Sequence, residues 1–232
     1  EPDGGWDGET GRRGDGESAQ NPEPGTQRPE SVYRPGRLLR AGAVSRYRGV
    51  ENGDWKFLVF DDISRDLRLP KGTIGSRWGK EKGKWNLKLE DAVDDEPIDP
   101  ALSFLDDSDD VLQVRIDDFG EGSTHVRGVP VRYVETDAGR VAVTTIMDLL
   151  MAQFGVSRGL PGEYPRDYDD EAPYTPAWQE KLTGIDRQTA ARFAREFASN
   201  AERTEGRSMV IVGAGLNHWY HMDMAYRGIM AM

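Results

Sequence analysis

Apolar and polar positions along the 232-residue chain change their period several times, and each change predicts a different element. Residues 1 to about 38 are rich in Gly, Pro, Glu and Arg with few branched aliphatic side chains. They bury too little surface to offset chain entropy, so residues 1–40 are expected to form an extended or disordered polar segment. From Gly53, "DWKFLVFDD" is an aromatic and aliphatic run bounded by turn residues, which predicts a strand. In "LPKGTIGSRWGKEKGKWNL", Gly72, Gly75, Gly79 and Gly83 mark turns among Arg77, Trp78 and Trp85. Aromatic side chains interleaved with basic ones can grip an anionic ligand, and in hairpins they equally cover the edge of a core. "DVLQVRIDDF" (residues 110–119) and "VPVRYVET" (residues 129–136) alternate enough to be strands. "DAG" at residues 137–139 is a tight turn. "RVAVTTIMDLLMAQFGV" then passes from strand into an amphipathic helix with Ile146, Leu149, Leu150 and Phe154 on one side.

Beyond it, "RGLPGEYPRDYDDEAP" carries Pro161, Pro165 and Pro173 and predicts a polar loop, too rigid and too polar for a buried element. Thr175-Pro176 supplies an N-cap and a first-turn proline for a helix that Gly184 ends. Asp186 caps a second helix, "RQTAARFAREFASNAE", whose Ala190, Phe193, Ala194 and Phe197 form a stripe expected to be core. "SMVIVG" (residues 208–213) is a short run of branched residues that predicts a fully buried strand of a parallel sheet. Strand, glycine turn and helix make a βα unit, so the fold class is α/β with an inserted β-hairpin region. The expected divisions are the polar segment 1–40, a strand- and turn-rich portion 41–140 and an α/β portion 141–232, with both chain ends resembling cuts through a longer protein.

The formal net charge of −11 sets a negative field that opposes binding to phosphate backbones and anionic lipid, so nucleic acid is not an expected partner. No run reaches the roughly 18 to 20 apolar residues of a membrane helix, and direct membrane insertion is not expected. Acidic clusters at residues 94–96, 106–110 and 167–171 lack the glycine spacing of a calcium loop and read as a solvated acidic surface. With no cysteine, this chain supplies no disulfide, thiolate nucleophile or cysteine-ligated metal.

Chemistry concentrates in "GAGLNHWYH". Gly213 and Gly215 match the first two glycines of a dinucleotide-binding turn, but His218 stands where the third is needed, so the nicotinamide fingerprint fails. His218, His221 and Asp223 are a credible two-histidine-plus-carboxylate set for iron or zinc if they share a helix face. A third reading makes the loop a pocket wall at a strand end, where Asn217, the two imidazoles, Trp219 and Tyr220 can hydrogen-bond a large heteroaromatic cofactor. A fourth leaves Trp219 and Tyr220 in the core and the histidines inert.

"YTPAWQEKLTGIDRQTAARFAREFA", "GRSMVIVGAGLNHWYHMDMAYRGIMAM" and, separately, "GSRWGKEKGKWNL" resemble the catalytic (alpha) chains of membrane-bound respiratory nitrate reductases, in the molybdopterin oxidoreductase superfamily. The likeness runs from about Asp54 to Met232. It implies an internal fragment of a catalytic domain that holds molybdenum on two pterin guanine dinucleotides (bis-MGD) and reduces nitrate to nitrite by oxygen-atom transfer. Electrons would come from quinol through iron-sulfur clusters of a beta chain and a membrane subunit. The parent would be peripheral to the cell membrane, usually on its cytoplasmic side, through those partners. By similarity, Gly213, Gly215, Asn217, His218 and His221 are cofactor-binding candidates. No residue here corresponds to the family's molybdenum-ligating aspartate or to the ligands of its 4Fe-4S cluster, which lie N-terminal to the region covered. The chain alone is therefore expected to be inactive, with no catalytic and no metal-ligating residue of its own. Alternatives are a chlorate, selenate or dimethyl sulfide enzyme of the same branch, or a non-catalytic α/β interaction domain.

Overall fold

The computed structural model describes residues 31–71, 88–118 and 122–232, which apart from residue 31 fall in one unit, Val32–Met232. The glycine- and tryptophan-bearing run at residues 75–87 lies outside the described residues. Seven strands and five helices are described: β1 (Val59–Asp61), β2 (Asp66–Arg68), β3 (Pro70–Lys71), β4 (Lys88–Asp91), β5 (Asp110–Asp117), β6 (Thr124–Thr136), β7 (Gly139–Val143), then α1 (Ile146–Gln153), α2 (Pro176–Thr183), α3 (Arg187–Arg203), α4 (Ala214–Asn217) and α5 (Met222–Ala231). The architecture is mixed α/β, with small sheets followed by helices. Among the described residues no helix is long and apolar enough to cross a membrane.

β6 organises the strand-rich part. Its first half pairs antiparallel with β5, from Asp117 opposite Thr124 to Asp110 opposite Val131; its second half pairs with β7, from Arg132 opposite Val143 to Thr136 opposite Gly139. Alternation along β5 turns Val114 and Ile116 inward and Arg115 and Asp117 outward. Val114, Ile116 and Val129 pack with Ala152 and Leu149 of α1, each buried aliphatic contributing roughly 1.5–3 kcal/mol. The predicted hairpin at residues 137–139 and the helix after it are both present. On α1, however, Ile146 stays 57% exposed, while Phe154 meets Tyr174 edge to face.

A second cluster joins Ala41, Val44 and Tyr47 to Phe60, Leu67, Leu69, Phe104 and Val134. The hairpin of β1 and β2 places Asp61 opposite Asp66. The predicted strand from residue 54 begins only at Val59, because Trp55 and Lys56 close a turn by donating backbone hydrogen bonds to Asn52. Tyr47 donates from its hydroxyl to Asp91 Oδ2 at 2.5 Å. Burial, reinforced by that bond, pushes its phenol well above the ordinary range. The acidic clusters are tied to basic side chains. Arg46 and Arg68 bond Asp94, Arg65 and Arg132 bond Asp107, and Arg187 bonds Asp169.

The proline-rich loop after α1 is less free than its polarity predicts. Arg127, 1% exposed, donates from Nε to the Glu163 carbonyl at 2.7 Å and from Nη1 to the Ala152 carbonyl at 2.6 Å, placing its charge on the C-terminal carbonyls of α1. Arg127 and Gly162 form an antiparallel bridge, and Gly128 donates to the Pro161 carbonyl at 2.6 Å. Such contact leaves no room for side chains. A Cβ on Gly128 would lie 2.8 Å from Pro161 O, and one on Gly162, whose φ is +140°, would lie 2.7 Å from Arg127 Cα.

Two expectations fail in the C-terminal third. Residues 208–213 form no strand, and Met209 and Ile211 are 78% and 85% exposed, so the predicted buried parallel strand is absent. The pairs between β1 to β7 are antiparallel, the parallel bridge of Tyr33 with Val114 lies elsewhere, and a β-prone run without a neighbouring edge leaves its backbone groups to solvent. The α3 stripe is not core either: no residue of α3 is buried, and the exposed Phe193 ring stacks on the half-buried Phe197 ring at 6.3 Å. Helical spacing specifies a face but cannot supply the surface that would cover it.

Candidate functional site

Local signals deliver the chain to the loop that carries the chemistry. Thr175 accepts from Trp178 N and caps α2, and Gly184 ends it with φ of 72°. Asp186 accepts from Thr189 N and caps α3. Past α3, Asn200 donates from Nδ2 to the Arg207 carbonyl at 3.2 Å and to Ser208 Oγ at 2.9 Å, and Ser208 donates to the Phe197 carbonyl at 3.0 Å. These bonds hold the start of the extended run against the last turns of α3.

Gly213 is the N-cap of α4, Gly215 and Asn217 lie within it, His218 follows as its C-cap, and His221 is the N-cap of α5. His221 adopts φ 55°, ψ 33°, a left-handed conformation that costs a non-glycine residue roughly 1–2 kcal/mol. Its ring lies 3.9 Å from that of Tyr220. Met224 N donates to the His221 carbonyl at 3.0 Å, which opens α5, and Asp223 sits in the first turn where a carboxylate is favoured. Thus all five sequence candidates fall on one short helix and the turn after it.

The geometry sorts the readings. His218 and His221 belong to different elements and do not share a helix face, and among the described residues no group of three His, Asp or Glu side chains is placed to hold a metal ion. His125 is engaged elsewhere, with Nε2 at 2.8 Å from Asp118 and Nδ1 at 3.4 Å from Glu163. Trp219 and Tyr220 are 75% and 89% exposed, so they are not core. Gly213 has an extended backbone that any residue adopts, Gly215 is not among the positive-φ residues, and a Cβ on either would meet nothing within 4 Å. Neither glycine is needed by the loop's own conformation or by packing among the described residues.

One contact escaped the sequence reading. Tyr226 of α5 donates its hydroxyl to Oδ1 of Asn217, bridging the two helices. Tyr226 belongs to the "YRG" triplet of the resemblance, but nothing in the local pattern pairs it with Asn217, nine positions earlier. The exposed donors of this loop (Asn217 Nδ2 and two imidazoles) beside unobstructed glycine backbone fit a flat, acceptor-rich, anionic group such as a pterin dinucleotide.

Two cavities among the described residues suit such a group less well. A groove of about 430 Å³ between β1 and the start of α1 is lined by Phe57, Phe60, Leu102, Ile146 and other apolar side chains and has no titratable group. A smaller cavity of about 290 Å³ is lined by Arg34, Arg115, Asp117 and Gln153, with Arg34 already 3.5 Å from Asp117.

No family model matches the chain. Individual proteins do. The respiratory nitrate reductase 1 alpha chain of Escherichia coli is 43% identical over 217 residues, covering 88% of this chain and 17% of the relative. The nitrate reductase alpha chain of Bacillus subtilis is 41% identical over 201 residues, covering 86% of this chain and 16% of the relative. The perchlorate reductase alpha subunit of Dechloromonas aromatica is more distant, at 22% over 222 residues, covering 90% of this chain and 21% of the relative. The nitrate reductase relatives belong to the molybdopterin oxidoreductase family. Within it, the chain corresponds to one segment of the nitrate reductase alpha chain and spans about a sixth of the length of those relatives.

Proposed function

We propose that the chain works as part of the alpha chain of a respiratory nitrate reductase, in which nitrate takes up two electrons and two protons to leave nitrite and water. The observation that carries this reading is the 43% identity over 88% of the chain, together with the donor-bearing loop from Gly213 to His221 left open on the structure. The fall to 22% identity with the perchlorate enzyme favours nitrate over perchlorate as the oxoanion.

Bound molybdenum on bis-MGD would supply the oxygen-atom-transfer centre. This chain's own contribution is to hold that cofactor: Asn217, His218 and His221 as hydrogen-bonding groups, Gly213 and Gly215 as room for close approach. The aspartate ligand of the metal and the 4Fe-4S ligands would come from outside these residues. Electrons would arrive from an iron-sulfur beta chain and a quinol-oxidising membrane subunit, through which the alpha chain would be held peripheral to the cell membrane, usually on its cytoplasmic side.

The test compares residues 1–232 with the full-length alpha chain in methyl-viologen-driven nitrate reduction. Turnover and stoichiometric molybdenum are expected only in the longer protein. Nitrate-dependent turnover by the 232-residue chain, or a full-length protein that reduces perchlorate but not nitrate, would overturn the reading.

A further inference from the structure

We infer that Tyr226 is a positioning residue that fixes the amide of Asn217 so that this side chain turns its N–H donors, rather than its oxygen, to an acceptor oxygen of the bound pterin dinucleotide. The inference rests on the proposed role of the loop and goes one residue beyond it, to a side chain on the next helix.

An asparagine amide has an acceptor end and a donor end of nearly equal shape, and an unrestrained one presents either. Here the acceptor end is taken. Tyr226, the fifth residue of α5, reaches back over the turn and donates its hydroxyl to Asn217 Oδ1. Asn217 is exposed at the end of α4, and among the described residues no acceptor bonds its Nδ2. The amide therefore keeps two N–H donors free, at the end of the short helix that Gly213 caps. Tyr226 itself is half-buried, so its ring is held while the amide it orients stays accessible. Orientation by a partner behind the contacting group is how supporting residues act on bound cofactors, and losing such a partner typically costs 10–100-fold in affinity or activity.

The experiment is a double-mutant cycle in the full-length alpha chain within its assembled complex, with Tyr226→Phe, Asn217→Ala and the double variant. Molybdenum per protomer and guanine nucleotide released by acid are measured after prolonged dialysis, alongside circular dichroism and the thermal midpoint. Each single variant is expected to lower retained cofactor about tenfold, and the double variant to fall no further than Asn217→Ala alone, with the circular dichroism unchanged and the midpoint falling only as far as cofactor loss accounts for. Tyr226→Phe retaining cofactor like the parent, while Asn217→Ala loses it, would overturn the positioning role and leave the loop reading standing. So would a second, equal loss from Tyr226→Phe in the Asn217→Ala background, because the two would then act independently. Full retention in Asn217→Ala would instead sink the loop reading, and this inference with it.

Discussion

Arg158 donates from Nη1 to Asp148 Oδ1 at 2.8 Å, and that carboxylate is wholly buried at the start of α1. Ser103 Oγ at 2.6 Å, Phe104 N at 2.8 Å and Thr145 Oγ1 at 2.9 Å also donate to it. One side chain thus ties residues 103 and 104, the helix cap and the loop after α1. Replacing Asp148 with Ala strands a guanidinium that is only 16% exposed. Removing one partner of a buried charge pair costs about 3–5 kcal/mol. Urea unfolding should show a loss of that size for Asp148→Ala and a smaller one for Asp148→Asn, which keeps an acceptor for the Phe104 N–H. A loss below about 1 kcal/mol for Asp148→Ala would refute the buried pair.

Acid should find a different carboxylate. Burial opposes ionisation of Asp61, but bonds from the Ser64 hydroxyl and from the N–H groups of Asp99, Ser64 and Ile63 outweigh it and hold its carboxyl below the ordinary value. A folded pKa below the unfolded one, about 3.9, contributes stability that is present above the unfolded value and lost as pH falls through the folded one. The parent should therefore be more stable than Asp61→Asn at pH 7, with the gap narrowing below about pH 4. Unfolding curves for both proteins between pH 7 and pH 2 read this directly. A gap that stays constant across that range would show that Asp61 does not titrate with folding.

Glycines at two places should respond oppositely to one methyl group. At Gly162 a Cβ meets backbone atoms of Arg127 and Val126 at 2.7 Å with φ at +140°, so Gly162→Ala is expected to cost about 1–3 kcal/mol and loosen the loop on β6. At Gly213 the same change meets open space and should leave stability within about 0.5 kcal/mol while reducing cofactor retention in the full-length protein. Thermal unfolding paired with molybdenum analysis separates the two outcomes. Equal destabilisation at both positions would contradict the contrast.

What the sequence disclosed was whatever is written locally. Thr175-Pro176, Gly184 and Asp186 specify caps within a few residues of themselves, and the 137–139 turn closes its own hairpin, so these elements stand where the pattern puts them. Arg127 shows why the rest was hidden. Nothing around "THVRG" marks a buried side chain, because its acceptors are carbonyls at positions 152, 153 and 163, brought near only by the fold. The run at 208–213 fails in the opposite direction: its residues favour a strand, but a strand also needs a partner that no local pattern contains. At the site, residue types and their order mark the loop, whereas the Tyr226 to Asn217 bond arises only when the turn folds α5 back on α4.

The partly exposed stripe of α3 yields the sharpest separation between this chain and the protein it belongs to. Ala190, Phe193, Ala194 and Phe197 keep helical spacing, yet Phe193 is 58% exposed, and Ile211 and Met209 lie open beyond it. Apolar surface of that extent is what a segment displays when its covering elements belong to a longer polypeptide, and the curated relatives are about six times as long. Phe193→Glu should then change the unfolding free energy of residues 1–232 by no more than about 0.5 kcal/mol, the range for an uncovered position. In the full-length alpha chain the same glutamate would be buried without a partner, and soluble, cofactor-loaded protein should fall sharply. Parallel measurement of both lengths decides it: a cost above about 1 kcal/mol in the short chain would mean that the stripe is already packed there, and normal yield and molybdenum content in the long one would mean that nothing covers it.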